Sequence, residues 1–224
     1  MVQAGLNAVF VGIEAPDEES LTDCKKNQNK NRDLVQSVKL IQRAGLQVQG
    51  GFIVGFDHDT PSIFQRQIDF IQKSGIVTAM VGLLQAPAGT RLYERLKAQG
   101  RLLGHMSGNT DGTTNIIPRM DLDVLREGYH NIMRSIYTPK HYYQRIQTFL
   151  REYPPPKISG TMDFQHFLAF FRCSFRLGLV GKERFQFWRL LLWTLFRRPS
   201  LTPLAITLAV YGHHFQKVCD TRIS

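Results

Sequence analysis

The sequence predicts an α/β fold, in which a parallel sheet is followed by an all-α region. In the first hundred residues, three short apolar segments alternate with segments of helical spacing, which is the order of a right-handed β/α series. The apolar segments are nearly continuous, as in parallel strands that are buried on both faces. Prolines at 154–156 form a hard break, and only helical spacing follows them.

The first predicted strand, Ala8 to Ile13, is followed directly by Glu14. Ligands of α/β folds bind at the carboxyl ends of the strands, so Glu14 is a candidate ligand-binding residue. A helix-capping or solvated carboxylate is the alternative. Pro16 then opens a short acidic turn, and a helix is predicted from Arg32 to Ala44.

The second predicted strand, Val48 to Phe56, contains three glycines. Glycine within a strand often marks the close approach of a ligand or of another backbone. The polar run Asp57–Asp59 follows at the carboxyl end and indicates a ligand site there. The alternative is an ordinary loop in which Asp59 or Thr60 caps the next helix.

The third predicted strand, Val77 to Leu84, comes after a helix from Pro61 to Lys73. The loop Gln85–Thr90 lies at its carboxyl end, and Thr90 caps the helix that follows. Residues 102–119 have little periodicity and are predicted to form a loop that crosses the ligand end of the sheet. Asp121 is predicted to cap a helix that runs to about Tyr137. Further helices are predicted at 139–152, 161–179, 182–196 and 202–217.

Three strands are too few for a complete parallel sheet. The first strand has no preceding partner, and a bare apolar edge is an aggregation hazard. We therefore expect earlier strands to be encoded elsewhere, so that this chain is the rear part of a larger fold.

The net charge of +10 is concentrated after residue 156, because this part of the chain contains ten Lys or Arg residues and only three Asp or Glu residues. A basic region rich in aromatic residues favours a nucleic acid or an anionic membrane surface as partner; a solvated basic face is the alternative. No nucleic acid is expected, because no helix-turn-helix, zinc-finger or stacking-strand pattern is found. The helices of this region predict either a small bundle packed on the sheet or a membrane-facing surface.

The three cysteines, Cys24, Cys173 and Cys219, are odd in number and far apart. This pattern favours a reducing compartment over a disulfide framework and predicts a cytoplasmic protein, with peripheral membrane contact as a further option. Adjacent His213 and His214 point about 100° apart on a helix, so we interpret them as surface or packing residues rather than metal ligands. No apolar run reaches the roughly 18 residues of a spanning helix.

Three segments carry a family resemblance: Val9 to Glu14, Gly51 to Thr60 and Leu84 to Tyr93. In this order and spacing they resemble the fourth, fifth and sixth strands of a radical SAM partial barrel. The chain is most similar to cobalamin-binding-type radical SAM proteins that end in a helical domain of unassigned function, a group that includes hopanoid methylases. The resemblance covers nearly the whole chain.

This resemblance implies that the chain holds the rear half of a partial TIM-type barrel, as three β/α units. Residues 1–120 would be the partial barrel, 121–156 connecting helices, and 157–224 a basic, aromatic-rich helical domain. Such proteins bind S-adenosylmethionine on a [4Fe-4S] cluster, held by a Cys-x-x-x-Cys-x-x-Cys loop, and cleave it reductively to a 5′-deoxyadenosyl radical. In this group cobalamin is a further cofactor, and methylation of an unactivated carbon is frequent.

The resemblance also implies a partial S-adenosylmethionine site but no catalytic or metal-ligating residue in this chain. Glu14 would lie near the ribose or the methionine part. The second strand would flank the adenine, since a flat ring needs the backbone access that glycine gives, and the loop after the third strand would form the other adenine wall. Relatives often carry Pro-Gly-Glu where this chain has Asp57–Asp59. The cofactor-binding residues implied are Glu14, Gly51, Ile53, Gly55, Asp59, Gln85, Ala86 and Pro87.

The cluster loop and any cobalamin-binding domain are missing from the sequence, and the three cysteines cannot replace the loop at their spacing. The leading hypothesis is therefore a carboxy-terminal fragment or split subunit of a radical SAM enzyme, inactive alone and completed by an upstream polypeptide. Its substrate would be lipid-like. The alternative hypothesis is a non-catalytic module that binds a membrane surface or a partner through the basic aromatic tail.

Overall fold

A computed structural model describes residues 2–17, 22, 32–104, 112–154, 175–181 and 183–222. Within these residues, three parallel strands form a sheet in the order β1–β2–β3, with β1 at Ala8–Glu14, β2 at Gln47–Val54 and β3 at Thr78–Leu83. The helices are α1 Leu34–Arg43, α2 Ser62–Ser74, α3 Arg91–Ala98, α4 Leu122–Tyr137, α5 Pro139–Glu152, α6 Arg184–Arg197 and α7 Thr202–Arg222.

The predicted α/β class and parallel sheet are confirmed, with one correction to the second strand. It ends at Val54 and not at Phe56, because Gly55 has a φ of +104° and turns the backbone out of the extended conformation. The helix predicted at 161–179 lies largely outside the described residues, and so do Glu18 and Glu19 of the predicted acidic turn.

The two faces of the sheet are very different. On one face alternate residues of β2 are buried, and Phe52 meets Phe70 of α2 edge-on with ring centroids 5.9 Å apart. The opposite face, which we call the open face, carries Phe10 and Met80 with 60% and 52% of their surfaces exposed. The helical layer therefore covers one side of the sheet, whereas the sequence predicted strands that are buried on both sides.

Glycines line the open face near the carboxyl ends of the strands. Gly12 and Gly51 are direct partners in the register of β1 and β2, and Gly82 of β3 pairs with Ile53. The Phe10 ring lies over Gly51, where an added Cβ atom would stand 2.8 Å from the Cζ atom of Phe10. Gly51 therefore has a packing role against Phe10.

β1 and β3 are the two edges of the described sheet, and side chains reach the backbone of β3. The hydroxyl of Tyr137, at the end of α4, donates to the Ala79 carbonyl at 2.7 Å. Arg145 of α5 donates to the carbonyl of Val77, the residue before the strand, at 3.2 Å. These bonds fix α4 and α5 against β3.

Arg145 connects the sheet to the helices. Its guanidinium is fully buried, donates to Gln72 Oε1 at 2.7 Å and to the Ile136 carbonyl at 2.8 Å, and stacks on the ring of Tyr142. Burial lowers the pKa of Arg145, and the neighbouring tyrosines oppose that shift. One cation thus ties α2, α4 and α5 together.

Helices α6 and α7 pack on α5, as expected for a small bundle. The hydroxyl of Tyr142 donates to the Leu208 carbonyl of α7 at 2.9 Å, and Gly212 of α7 lets the two helices approach, since a Cβ atom there would collide with the Tyr142 ring. Before α6, the buried Glu183 binds Nδ1 of His213 at 2.7 Å, so this histidine of α7 is tied to the residue that precedes α6. None of the helices in the described part of the chain is both long and apolar enough to cross a membrane.

Candidate functional site

The carboxyl end of β1 is held by a buried glutamine. Glu14 has a φ of +66°, a conformation that is uncommon for residues other than glycine. Nε2 of Gln67, from α2, donates to the carbonyl oxygens of Glu14 at 3.3 Å and Ile53 at 2.9 Å. Oε1 of Gln67 is buried and has no hydrogen-bond partner among the described residues. Gln67 therefore links the ends of β1 and β2.

The loop after β2 is closed by Asp59. Its Oδ2 atom accepts hydrogen bonds from the backbone N–H groups of Gly55 at 2.7 Å and Phe56 at 3.0 Å. The alternative in which Asp59 or Thr60 caps the following helix is wrong, because Pro61 is the N-cap of α2 and makes no side-chain cap. Asp59 thus shapes the loop at this strand end.

Asp57 lies in a cluster of arginines beside the same strand end. Its carboxylate contacts Arg101 at 2.8 Å, Arg95 at 3.2 Å and Arg119 at 3.9 Å. Burial opposes ionisation of Asp57, but the hydrogen bond and charge of Arg101, with the charges of the other two arginines, hold its pKa below the ordinary value. Asp57 is therefore held at this strand end by three cations.

The loop after β3 is bound by the segment 112–117. Asn115 is buried, accepts from the Ala86 N–H at 2.8 Å and donates to the Ala86 carbonyl at 2.9 Å. Thr114 donates to the Leu84 carbonyl at 2.6 Å, and Nε2 of Gln85 donates to the Thr113 carbonyl at 2.9 Å. Like Gln67, Gln85 has a buried Oε1 without a hydrogen-bond partner in the described part of the chain.

The structure brings most of the sequence-predicted site residues to one edge of the sheet. Glu14, Gly55 with Asp59, and Gln85 with Ala86 follow three neighbouring strands. Gly51 and Ile53 lie on the open face within β2, and Pro87 is exposed. The Ala86 backbone and the Asp59 carboxylate are engaged in bonds within the protein, so their side of the site is already shaped.

The described residues do not fit an iron–sulfur cluster. They include one cysteine, Cys219, whose buried position raises the pKa of the thiol to about 11, so it is held as a thiol and not as the ligating thiolate. No group of three or more His, Cys, Asp or Glu side chains in these residues could hold a metal ion. Cys24 and Cys173 lie outside the described residues.

A family model described as "Domain of unknown function (DUF4070)" matches residues 90–223. The chain belongs to the DUF4070 family. The match begins at the N-cap of α3 and covers all later helices, so it contains Asn115, Arg145 and the α6–α7 pair.

Several curated relatives of this DUF4070 protein are named methyltransferases or methylases. It is 34% identical over 220 residues to an uncharacterized methyltransferase of Synechocystis sp., which covers 96% of this chain and 41% of the relative. It is 27% identical over 222 residues to the hopanoid C-2 methylase of Rhodopseudomonas palustris, a match that covers 96% of this chain and 41% of the methylase. A bacteriochlorophyllide d C-12(1)-methyltransferase of Chlorobaculum tepidum is 24% identical over 148 residues, with 65% of this chain and 32% of that protein covered.

These matches confirm the resemblance to the carboxy-terminal part of cobalamin-binding radical SAM methylases. The chain spans about two fifths of the length of the first two relatives, at 41% of each.

Sequence reasoning missed Gln67 and Asn115. Gln67 had a detectable signal, because it lies four residues from both Ile63 and Ile71 and thus on the apolar side of its helix. No local sequence signal marked Asn115, because its partner is a backbone group 29 residues away.

Proposed function

We propose that this chain forms one wall of an S-adenosylmethionine pocket in a radical SAM methyltransferase. The observation that carries the proposal is the arrangement of three neighbouring strand ends. Each end brings a polar side chain, Glu14, Asp57 or Gln85, to the same edge of a sheet whose open face is lined with glycine. Parallel α/β sheets bind their ligands at this edge.

In this proposal each site residue predicted from the sequence has a role. The Glu14 carboxylate binds the ribose hydroxyls or the amino group of the ligand. The buried and unpartnered Oε1 atom of Gln85 accepts a hydrogen bond from the adenine amino group. The Phe10 ring, which packs over Gly51, and the side chain of Ile53 flank the adenine ring, and the turn at Gly55 ends the strand beside it. Ala86, Pro87 and Asp59 shape the loops around it.

We further propose that the three β/α units are the rear half of a partial TIM-type barrel. Two features support this: β1 is an edge strand in the described sheet, and the open face resembles the inner face of a barrel more than an outer surface. Earlier strands, supplied by an upstream polypeptide segment, would pair with β1. That segment would carry the ligands of the [4Fe-4S] cluster and the cobalamin-binding domain, because the three cysteines of this chain do not form the required loop.

The substrate class that we propose is lipid-like. One relative is named for methylation of a hopanoid and another for methylation of a bacteriochlorophyllide. Both names denote large molecules with extensive apolar surface, and the helical domain of this chain exposes apolar side chains.

The test is anaerobic reconstitution of the chain with and without the polypeptide encoded immediately upstream, followed by measurement of S-adenosylmethionine binding and of 5′-deoxyadenosine. We expect cleavage only in the mixture. Glu14→Gln should weaken S-adenosylmethionine binding about tenfold or more, since a hydrogen bond to a charged group contributes about 1.5–3 kcal/mol. Glu127→Gln, which removes an exposed carboxylate on α4, is the matched control. Cleavage by the chain alone, or equal binding by the two variants, would contradict the proposal.

A further inference from the structure

Helix α6 is apolar on two opposite sides. Its inner side buries Phe187, Leu190, Leu191 and Thr194 against the bundle. Its outer side exposes Phe185, Trp188, Leu192, Leu195 and Phe196, which we call the α6 outer face. At 100° per residue these five side chains fall within an arc of about 100° on the side opposite the buried residues.

The α6 outer face is largely exposed in the described part of the chain. Phe185 and Phe196 expose 74% and 81% of their surfaces. The elements on which α6 packs are α5, α7 and the two short turns 176–180 and 199–201; of the outer-face residues, Trp188 is bonded to the first of these turns, since its Nε1 donates to the Gly178 carbonyl at 2.9 Å. A contiguous apolar face of this size marks an interaction surface.

Cations border this face along one flank of α6. Two adjoining cavities of about 600 and 450 Å³, which share Arg151 and Trp193, lie between α5 and α6. The basic side chains that line them are Lys73, Arg145, Arg151, Arg189, Arg197 and Arg198. The guanidinium groups of Arg145 and Arg198 are bonded within the protein, so Lys73, Arg151, Arg189 and Arg197 are the cations that can meet an anion. Among the described residues no carboxylate lines either cavity, and Glu152, the acidic residue at the end of α5, is bound to Lys39 and Arg43 of α1. We call this feature the arginine groove.

We propose that the α6 outer face and the arginine groove together dock the protein on an anionic lipid bilayer. The helix would lie in the plane of the interface, with its aromatic and leucine side chains among the acyl chains. The groove would take lipid phosphates. A helix of 14 residues is about 21 Å long, which is too short to cross the roughly 30 Å hydrocarbon core but is sufficient for an interfacial helix.

Charge complementarity favours a bilayer over a protein partner. A bilayer presents an apolar interior directly beneath a layer of anionic phosphates, and the chain presents an apolar stripe directly beside the arginine groove. Trp193, which lines both cavities, lies at the border between the two, the position that tryptophan prefers at a membrane interface. The inference does not depend on the S-adenosylmethionine site, which lies at the sheet.

The test is flotation of the full chain with vesicles of neutral phosphatidylcholine, alone or mixed with anionic phosphatidylglycerol, over a salt series. We expect binding to the anionic vesicles at low salt and its loss as salt screens the charges. Soluble inorganic phosphate at matched ionic strength should not displace the protein from the vesicles. Displacement by free phosphate would overturn the proposal, because the groove would then recognise phosphate without a bilayer.

Two variants separate the apolar and the charged contributions. Phe196→Ser should reduce vesicle binding about tenfold or more, since burial of an aromatic side chain is worth about 1.5–3 kcal/mol. Leu40→Ser, at an exposed leucine of α1, is the matched control and should bind as the unaltered protein does. Arg189→Gln should reduce binding about fivefold and lessen its salt dependence, whereas Arg126→Gln on α4 should not.

Circular dichroism and the thermal midpoint will show that each variant is folded. Absence of flotation at low salt, or equal flotation by Phe196→Ser and Leu40→Ser, would overturn the proposal. Self-association that Phe196→Ser abolishes, in a protein that does not float, would also overturn it and assign the face to a second copy of the chain.

Discussion

The open face of the sheet and the α6 outer face both expose large apolar side chains, yet they differ in composition and charge. On the open face, Phe10 and Met80 stand among glycines next to β1, an edge strand of the described sheet. On the α6 outer face, aromatic and leucine side chains lie beside a groove of cations. Exposed apolar area alone therefore does not define a partner. Glycines beside a strand edge suit a flat ligand and a neighbouring strand, whereas apolar side chains beside cations suit a fluid anionic surface.

Arg145 connects the sheet to the helices on which α6 packs, so its removal tests whether the two regions unfold as one unit. Arg145→Met should lower the free energy of unfolding by about 3–5 kcal/mol, because buried acceptors on α2 and α4 lose their donor. The measurement is urea unfolding followed by far-UV circular dichroism and by tryptophan fluorescence. Both tryptophans of the chain lie in α6, so the fluorescence reports that helix alone.

Coincident shifts of the two signals would show that the regions unfold together. Arg126→Met, on the exposed side of α4, is the control and should change stability by less than about 0.5 kcal/mol. If the circular dichroism transition moves while the fluorescence transition stays in place, the sheet and α6 unfold independently and are not parts of one folding unit.

Asp57 tests the electrostatics of the sheet edge. Its pKa is depressed in the folded protein, so its contribution to stability is present above the ordinary aspartate pKa of about 4 and is lost as the pH falls through the lower folded value. Asp57→Asn should cost about 1 kcal/mol at pH 7, since two of the three arginines are about half exposed or more and their charges are screened.

The cost of Asp57→Asn should shrink as the pH is lowered towards 3, and chemical denaturation at several pH values measures it. Asp123→Asn, whose carboxylate is 93% exposed, supplies the reference. A cost that stays constant with pH would show that the arginine cluster does not depress the pKa of Asp57.

The smallest effects on stability are expected at the two exposed phenylalanines, Phe10 of the open face and Phe196 of the α6 outer face. Phe10→Ser and Phe196→Ser should each change the free energy of unfolding by no more than about 0.5 kcal/mol, since both side chains are largely exposed. Their binding defects should cross: Phe10→Ser weakens association with the upstream polypeptide and leaves vesicle binding intact, and Phe196→Ser does the reverse. Co-elution measures association with the upstream polypeptide, and flotation measures vesicle binding. A loss of both activities in either variant would show that the two faces do not have separate partners.

Local signals made much of the fold predictable. Thr90 and Asp121 were expected to cap helices, and each side-chain oxygen accepts a hydrogen bond from the first turn of its helix. The strands were found to within one or two residues because apolar runs and glycines mark them. The error at Gly55 arose because glycine within an apolar run reads equally well as strand and as a left-handed turn.

The site was less predictable because its contacts are non-local. Arg101 reaches Asp57 across 44 residues, and Gln67 reaches the Glu14 carbonyl across 53. Asp59 illustrates the limit: an aspartate before a helix usually caps it, but here the carboxylate turns back to Gly55. The one-sided covering of the sheet also escaped prediction, since apolar runs alone indicate burial on both faces.

The bonds from Tyr137 and Arg145 to the backbone of β3 and the residue before it give the sheet a direction of growth. A strand added beside the start of β3 would have to displace these side chains, whereas β1 has no further strand beside it in the described sheet. The start of β3 is thereby guarded against pairing with the sheet of a second copy, and β1 is the edge at which a new strand would extend the sheet.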